Sequence, residues 1–296
     1  MRVFVVGANG YVGRHVARAF SAAGLSVLGS VRKNAAQLSE ELPGVVLRQM
    51  PEVDELAVRR IVAESDAVVI AAQLNLQEEN ELYRRFIAAM DGSGKTLIMI
   101  SGTSVLTIRS GGAEDSRRFA EDDPFSPLPW LIGRVDTEND VRTSAARGVR
   151  AMVIRPPLIF GNGGSTQIPL LFESVRKTGF ACYVGEGLNR YSYVHVEDLA
   201  ELVVAAVARG TAGALYHASV GDIPSFRHLA ELIAQRFGCQ TRSLTLDEAT
   251  QLWGKFSAHV GLGGNSRTLA PRAMRDLGWE PRRLDISSDV LAGPYA

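Results

Sequence analysis

Two short stretches hold residues whose types and spacing can do chemistry. In GANGYVG (7–13), Gly7, Gly10 and Gly13 recur every third residue, directly after the apolar run VFVV. Glycines at such a place permit a tight turn and a close backbone approach, and they leave the N–H groups of a following helix exposed. Those groups and the helix dipole favour a pyrophosphate. Gly7, Asn9, Gly10, Tyr11, Val12 and Gly13 are therefore candidate phosphate-binding residues. The spacing is not the G-x-G-x-x-G of the dinucleotide fingerprint, so its weight comes from its place between a strand and a helix. The second stretch is PWLIGRVDTEND (129–140). A helix beginning near Pro129 would stack Trp130, Arg134 and Glu138 on one side, four residues apart. An indole N–H can donate a hydrogen bond but is no acid near neutral pH, and an arginine stays protonated.

A third stretch selects among dinucleotides. An acidic residue at the end of the second strand would hydrogen-bond the ribose 2′-hydroxyl of NAD. The chain instead has Gly29, Ser30, Val31, Arg32 and Lys33 there. Arg32 and Lys33 can neutralise a 2′-phosphate, so NADP(H) is expected in preference to NAD(H).

These residues need strands and helices to position them. VFVV (3–6), LSVLGSV (25–31), VVLRQM (45–50), AVVIAA (67–72), TLIMIS (96–101) and VRAMVIR (149–155) read as six strands. Helical patterns separate them, including Leu56–Ala63, Glu78–Met90 and Leu131–Ala146. Several strands are apolar throughout, which suits parallel strands covered on both faces. The expected fold is α/β, a doubly wound parallel sheet with a smaller, mainly helical C-terminal region. Residues 1–158 form the expected dinucleotide-binding domain, with 190–220 returning to it; 159–189 and 221–296 form the substrate-binding region. The hydrophilic stretch 107–127 is expected to be a surface loop over the site.

Composition narrows the function classes. Lys+Arg and Asp+Glu are 32 each, which gives no electrostatic case for nucleic acid or an anionic membrane. Two cysteines, Cys182 and Cys239, make no disulfide scaffold or metal motif. No apolar run approaches the ~20 residues of a membrane span, and the start is not of signal-peptide type. The expectation is a cytoplasmic monomer or homodimer acting on a small molecule, with no metal.

GANGYVG, ISGTSVL (100–106), RPPLIFGNGG (155–164), YVHVEDLA (193–200) and LGWEP (277–281), in this order, resemble the extended and atypical short-chain dehydrogenase/reductase superfamily of epimerase/dehydratase-like proteins. The resemblance spans nearly the whole chain and implies a Rossmann domain. It implies that Ala71 and Ala72 line the cofactor path, that the backbone at Pro156 and Pro157 faces the nicotinamide, and that residues around 160–190 and 250–268 supply the substrate pocket. It also implies that His195 belongs to a structural turn and that Asp198 is a cap or anchor.

Complete members carry a Ser/Thr at the end of the fifth strand and a YxxxK pair on the next helix, commonly with a glutamate four residues later. Aligning Glu138 with that glutamate places Arg134 at the lysine and Trp130 at the tyrosine. Gly102 then stands at the Ser/Thr position, flanked by Ser101 and Thr103. All three roles are altered, which argues against carbonyl reduction through a tyrosine. Thr103, Trp130 and Arg134 become the catalytic candidates, with Ser101 and Arg134 also beside the cofactor. Tyr183, Tyr191, Tyr193, Lys255 and His259 are secondary candidates for which packing is the plainer role. The expected activity is that of an NADP(H)-dependent oxidoreductase with an altered proton donor. The alternatives are an epimerase, isomerase, dehydratase or cyclase, or a non-catalytic NADP-binding sensor.

Overall fold

Alternate residues of the central strands feed two different cores. In the computed structural model, which describes residues 1–295, Val3, Val5, Val69 and Ile98 pack into one apolar cluster. Their neighbours Phe4, Val6, Val68, Ile70, Leu97 and Met99 pack into another on the opposite face. Side chains on a strand point to opposite faces in turn, so a strand that is apolar throughout must be covered on both sides.

The chain runs β1 (Arg2–Val6), α1 (Tyr11–Ala22), β2 (Ser26–Val31), α2 (Ala35–Glu41), β3 (Val45–Gln49), α3 (Glu55–Glu64), β4 (Ala67–Ile70), α4 (Leu76–Met90) and β5 (Thr96–Ile100). It continues through β6 (Ile108–Arg109), α5 (Ile132–Thr143), β7 (Arg150–Arg155), β8 (Leu158–Phe160), α6 (Ile168–Thr178), β9 (Phe180–Val184), β10 (Tyr193–His195), α7 (Val196–Arg209) and β11 (Leu215–His217). The remainder is α8 (Phe226–Phe237), β12 (Gln240–Leu244), α9 (Leu246–Trp253), β13 (Gly264–Asn265), α10 (Pro271–Leu277) and α11 (Ile286–Ala292).

Seven parallel strands form the sheet in the order β3-β2-β1-β4-β5-β7-β11. The chain leaves β1 towards one edge and returns to β4 on the other side of it. The order therefore reverses between β1 and β4, and in open α/β sheets ligands bind beyond the carboxyl ends of the strands at such a point. The glycine turn follows β1, and Ala71–Ala72 follows β4.

The first core packs α1, α7 and α10 on one face; the other face carries α3, α4 and α5. A third cluster, including Phe172, Tyr191, Phe226 and Trp253, belongs to the C-terminal region. Two features depart from the sequence-based boundaries. Strand β10 pairs with β8 outside the main sheet, whereas β11 joins that sheet beside β7. Ala270, Ala273, Leu277 and Trp279 lie in the first core, so the expected region 221–296 is shared between two cores. The reason is local: the apolar face of α10 packs on α7, and the Trp279 indole N–H donates to Asp198 O at 2.9 Å.

The helix expected over Leu131–Ala146 is a 3-10 turn at Pro129–Leu131, then α5, then a second 3-10 turn at Ser144–Arg147. Among the described residues, no helix is long and apolar enough to cross a membrane.

Candidate functional site

The glycine turn is built by close contacts that each forbid a side chain. Gly7 has φ +81°, and a Cβ there would meet Ala72 Cα at 2.9 Å. A Cβ on Gly13 would lie 2.1 Å from Gly7 O. Gly10 is different: its nearest would-be contact is Gly7 O at 3.3 Å, so its neighbourhood is more open. Gly10 is also the N-cap of α1 and supplies no side-chain bond to it. The N-termini of α3, α4, α8 and α9 are capped by Asp54, Asn75, Ser225 and Thr245. The first N–H groups of α1, at Tyr11, Val12 and Gly13, are left for an external acceptor.

Neighbouring side chains brace the turn. Gly7 N–H donates to Ser30 Oγ at 3.2 Å, and Arg14 donates to Asn9 O through Nη2 at 2.9 Å. The Tyr11 hydroxyl donates to Gly161 O at 2.8 Å while its ring covers Gly164, so this side chain ties the C-terminal region to the turn. Val12 packs against the first core. Arg32 and Lys33 follow β2, are exposed, and form no ion pair among the described residues. Ala71 N–H donates to Val6 O at 3.0 Å, which sets the Ala71–Ala72 turn beside the glycines.

At the end of β5 the hydroxyls divide. Ser101 Oγ donates to Glu138 Oε1 at 2.5 Å. Glu138 also accepts from Arg155 Nε at 3.0 Å and from Arg155 Nη2. Both partners are almost fully buried, so this ion pair pins α5 to the ends of β5 and β7. Thr103 N–H donates to Pro156 O at 3.0 Å, and Thr103 O accepts from Ser266 Oγ at 2.8 Å. The Thr103 hydroxyl itself is buried and has no partner. Gly102 is extended, and a Cβ there would meet nothing closer than Ser104 Oγ at 3.6 Å. Room for a side chain exists at that position, but no hydroxyl occupies it. Pro156 and Pro157 are both buried.

Trp130 and Arg134 do not share one environment. The 3-10 turn sends Trp130 outward, where it is 37% exposed between Arg109 and Lys255. Arg134, on α5, pairs with Glu79 of α4, Nη2 to Oε2, at 2.9 Å. That contact is ionic rather than a directed hydrogen bond, since Glu79 Oε2 has no partner of hydrogen-bonding geometry. Burial pushes the Glu79 carboxyl up, Arg134 opposes this, and Glu138 adds to it.

The secondary candidates are mostly held by the fold. The Tyr191 hydroxyl donates to Val260 O at 2.7 Å and meets Thr107 Oγ1 at 2.8 Å; burial raises its pKa well above a phenol's usual value. The Tyr193 hydroxyl donates to Leu284 O at 2.8 Å. Tyr183 packs in the third core, with the Arg227 guanidinium 5.8 Å from its ring centroid. His195 Nδ1 accepts from Glu197 N–H at 3.2 Å, capping α7, and its ring fills the space beside Gly161. Asp198 is fully buried and accepts from the N–H groups of Arg282 and Arg283 at 3.1 and 2.8 Å, anchoring the C-terminal segment.

Sequence reasoning gave no role to Glu79, Arg155, Glu121, His217 or Arg109. The hydrophilic loop is strapped down by Glu121, whose Oε1 accepts from Arg272 N–H at 3.2 Å, beside the buried His217. Each of these is a polar residue in a stretch whose pattern signals only a helix, a strand or a loop. Among the described residues, no cluster of His, Cys, Asp or Glu is arranged to hold a metal.

Comparison with known proteins fits this geometry. The model of the NAD dependent epimerase/dehydratase family matches residues 3–220. An uncharacterised protein of Schizosaccharomyces pombe is 30% identical, over 100% of this chain and 100% of its own. A 4-hydroxy-2-methyl-3-oxo-4-farnesyl-3,4-dihydroquinoline-1-oxide ketoreductase of Stigmatella aurantiaca is 27% identical, over 80% of this chain and 74% of its own. The solved UDP-glucuronic acid 4-epimerase of Bacillus cereus, in complex with UDP-glucuronic acid and NAD, has a similar fold. Its TM-score is 0.76 at 17% identity, covering 99% of this chain and 98% of that one.

Proposed function

The chain belongs to the NAD-dependent epimerase/dehydratase family, and from that premise we propose that it is an NADP(H)-dependent oxidoreductase acting on a small organic substrate without the usual tyrosine–lysine pair. The observation that carries the proposal is the uncapped N-terminus of α1 behind the Gly7–Gly10–Gly13 turn, facing the strand-order reversal, with Arg32 and Lys33 unpaired at the end of β2. A cofactor pyrophosphate fits the α1 terminus because Gly10 adds no side chain there. Arg32 and Lys33 would hold a 2′-phosphate, and Ala71, Ala72, Ser101, Pro156 and Pro157 would border the rest of the cofactor.

When bound, the nicotinamide supplies or accepts a hydride. The chain's own residues bind, orient and stabilise charge. Thr103 Oγ1, without an internal partner, provides a hydrogen bond for a substrate oxygen. The Arg134 guanidinium steadies the ribose or a developing oxyanion, with Glu79 fixing its position. No residue at the three altered positions is a phenol, so an acceptor that needs little acid assistance, such as an iminium or an activated alkene, suits the site best. The ketoreductase relative supports redox chemistry as the reaction class.

Titration of NADPH and NADH into the purified protein tests the cofactor assignment. NADPH is expected to bind more tightly, and Arg32→Ala with Lys33→Ala to remove most of that preference while leaving NADH binding in place. Turnover is then followed as loss of reduced nicotinamide absorbance over a panel of ketones, imines and enones. Tight NADPH binding with no consumption across the panel would defeat the oxidoreductase assignment. Product formed without net absorbance change would point to an epimerase or dehydratase instead.

A further inference from the structure

Arg109, Trp130, Lys255 and His259 come from three separate parts of the chain and meet around one partly exposed indole ring. The Arg109 guanidinium lies 5.7 Å from the Trp130 ring centroid, and the Lys255 ammonium lies 5.8 Å from the same centroid. We propose that these side chains form a subsite for a compact oxyanion, a carboxylate or a phosphate, carried by the small-molecule substrate. Trp130 forms the apolar surface beside that anion. This deepens the oxidoreductase proposal by naming the substrate class, and it rests on that proposal only for which molecule carries the anion.

Three observations support it. Two cations beside one ring repel each other, and neither has a carboxylate partner among the described residues. Other arginines of the chain, such as Arg118, Arg147, Arg267 and Arg283, are neutralised by aspartates or glutamates. Arg109 is instead positioned by an uncharged group. Its Nη2 donates to His259 Nδ1 at 3.0 Å, leaving the remaining guanidinium N–H groups for a bidentate acceptor. Burial, and then the charges of Arg109 and Lys255, push the His259 pKa down, against an opposing effect of Asp247. The imidazole therefore holds Arg109 without cancelling its charge.

The backbone around the cluster is also specialised. His259 sits on a wide turn, Ser257–Gly261, closed by Leu262 N–H donating to Ser257 O at 2.7 Å, a five-residue step. Such turns are uncommon and recur at functional sites. Arg109 is held on β6, which pairs antiparallel with β13. The residue after β13, Ser266, bonds the Thr103 carbonyl, so the ribbon is tied to the end of β5. The ribbon thus fixes the Arg109 end of the cluster relative to the end of β5.

Tryptophan fluorescence provides the test, without cofactor or turnover. Of the three tryptophans, Trp253 and Trp279 are buried at 8% and 4% exposure, so a soluble quencher reads Trp130 at 37%. Iodide is expected to quench wild type more efficiently than it quenches a variant lacking both cations, by at least about twofold at equal ionic strength, because local cations enrich anions. Orthophosphate or acetate, added at constant ionic strength with chloride, should protect saturably in the millimolar range, and the comparison of the two separates a phosphate site from a carboxylate site. Trp130→Phe should abolish the iodide-sensitive component. Arg109→Gln with Lys255→Gln should remove both the enhanced iodide quenching and the protection while the circular dichroism spectrum and NADPH affinity persist. Protection by neither anion, protection that does not saturate, or protection that survives in the double variant would overturn the subsite. NADPH binding and turnover are measured separately, so failure here is distinguishable from failure of the oxidoreductase proposal.

Discussion

His217 makes a pH-dependent contribution to stability that can be worked out from its surroundings. It lies at the end of β11 with no exposed surface, and Nδ1 faces Leu269 O at 3.0 Å. That bond fixes the neutral tautomer, with Nδ1–H donating and Nε2 bare; Nε2 has no partner. Burial first, and the Arg155 charge second, lower its pKa from 6.5 to about 4. The unfolded chain therefore binds a proton between those two values that the folded chain refuses. Stability from this residue is complete above the unfolded pKa and is lost as pH falls through the window.

Between about pH 7.5 and about pH 5 the loss is about 2 kcal/mol, or about 3 °C in Tm for a chain of this size. Glu121, whose carboxyl burial raises, works in the opposite sense on acidification, and His15, His195 and His259 work in the same sense as His217. Comparison of wild type with His217→Asn cancels those background groups. Asparagine keeps an N–H near the Nδ1 position and does not titrate. Urea unfolding at both pH values should show the variant less stable at neutral pH but with a flatter pH dependence by about 2 kcal/mol. An equal loss in wild type and variant would refute the reasoning, because His217 would then carry no depressed pKa.

Other expectations concern the anchors of the site. Glu138→Ala strands the buried Arg155 charge and should cost about 3–5 kcal/mol in urea unfolding, whereas Glu138→Leu with Arg155→Met should cost less than the single change. A double variant worse than Glu138→Ala would show that the pair does more than neutralise itself. Gly13→Ala drives a methyl into Gly7 O and should lower thermal stability and NADPH binding together, while Gly10→Ala should weaken NADPH binding with little change in Tm. Equal Tm losses for both glycines would contradict the division of their roles. Arg134→Ala leaves the buried Glu79 carboxyl without its cation, so the variant should bind NADPH more weakly and turn over more slowly. Unchanged NADPH affinity and turnover would remove Arg134 from the cofactor site.

The amino-acid sequence alone determined the fold class, because that information is local and repetitive. Apolar β-branched runs between helical patterns specify parallel strands covered on both faces, and Gly7, Gly10 and Gly13 mark the turn by their lack of side chains. The absence of a tyrosine and a lysine at 130 and 134 is likewise plain from residue types. Direction was not legible. Spacing alone put Trp130 and Arg134 on one helical face, but the 3-10 turn at Pro129–Leu131 parts them, one to Arg109 and Lys255 and the other to Glu79. Which hydroxyl beside Gly102 is free also depended on tertiary contacts, since Glu138 takes Ser101 and nothing takes Thr103. Partners such as Glu79, Arg109 and His259 lie far from Arg134 and Trp130 in sequence. Only the packing of α4, β6 and the Ser257–Gly261 turn around α5 brings them together, because charge pairing and burial act through space rather than along the chain.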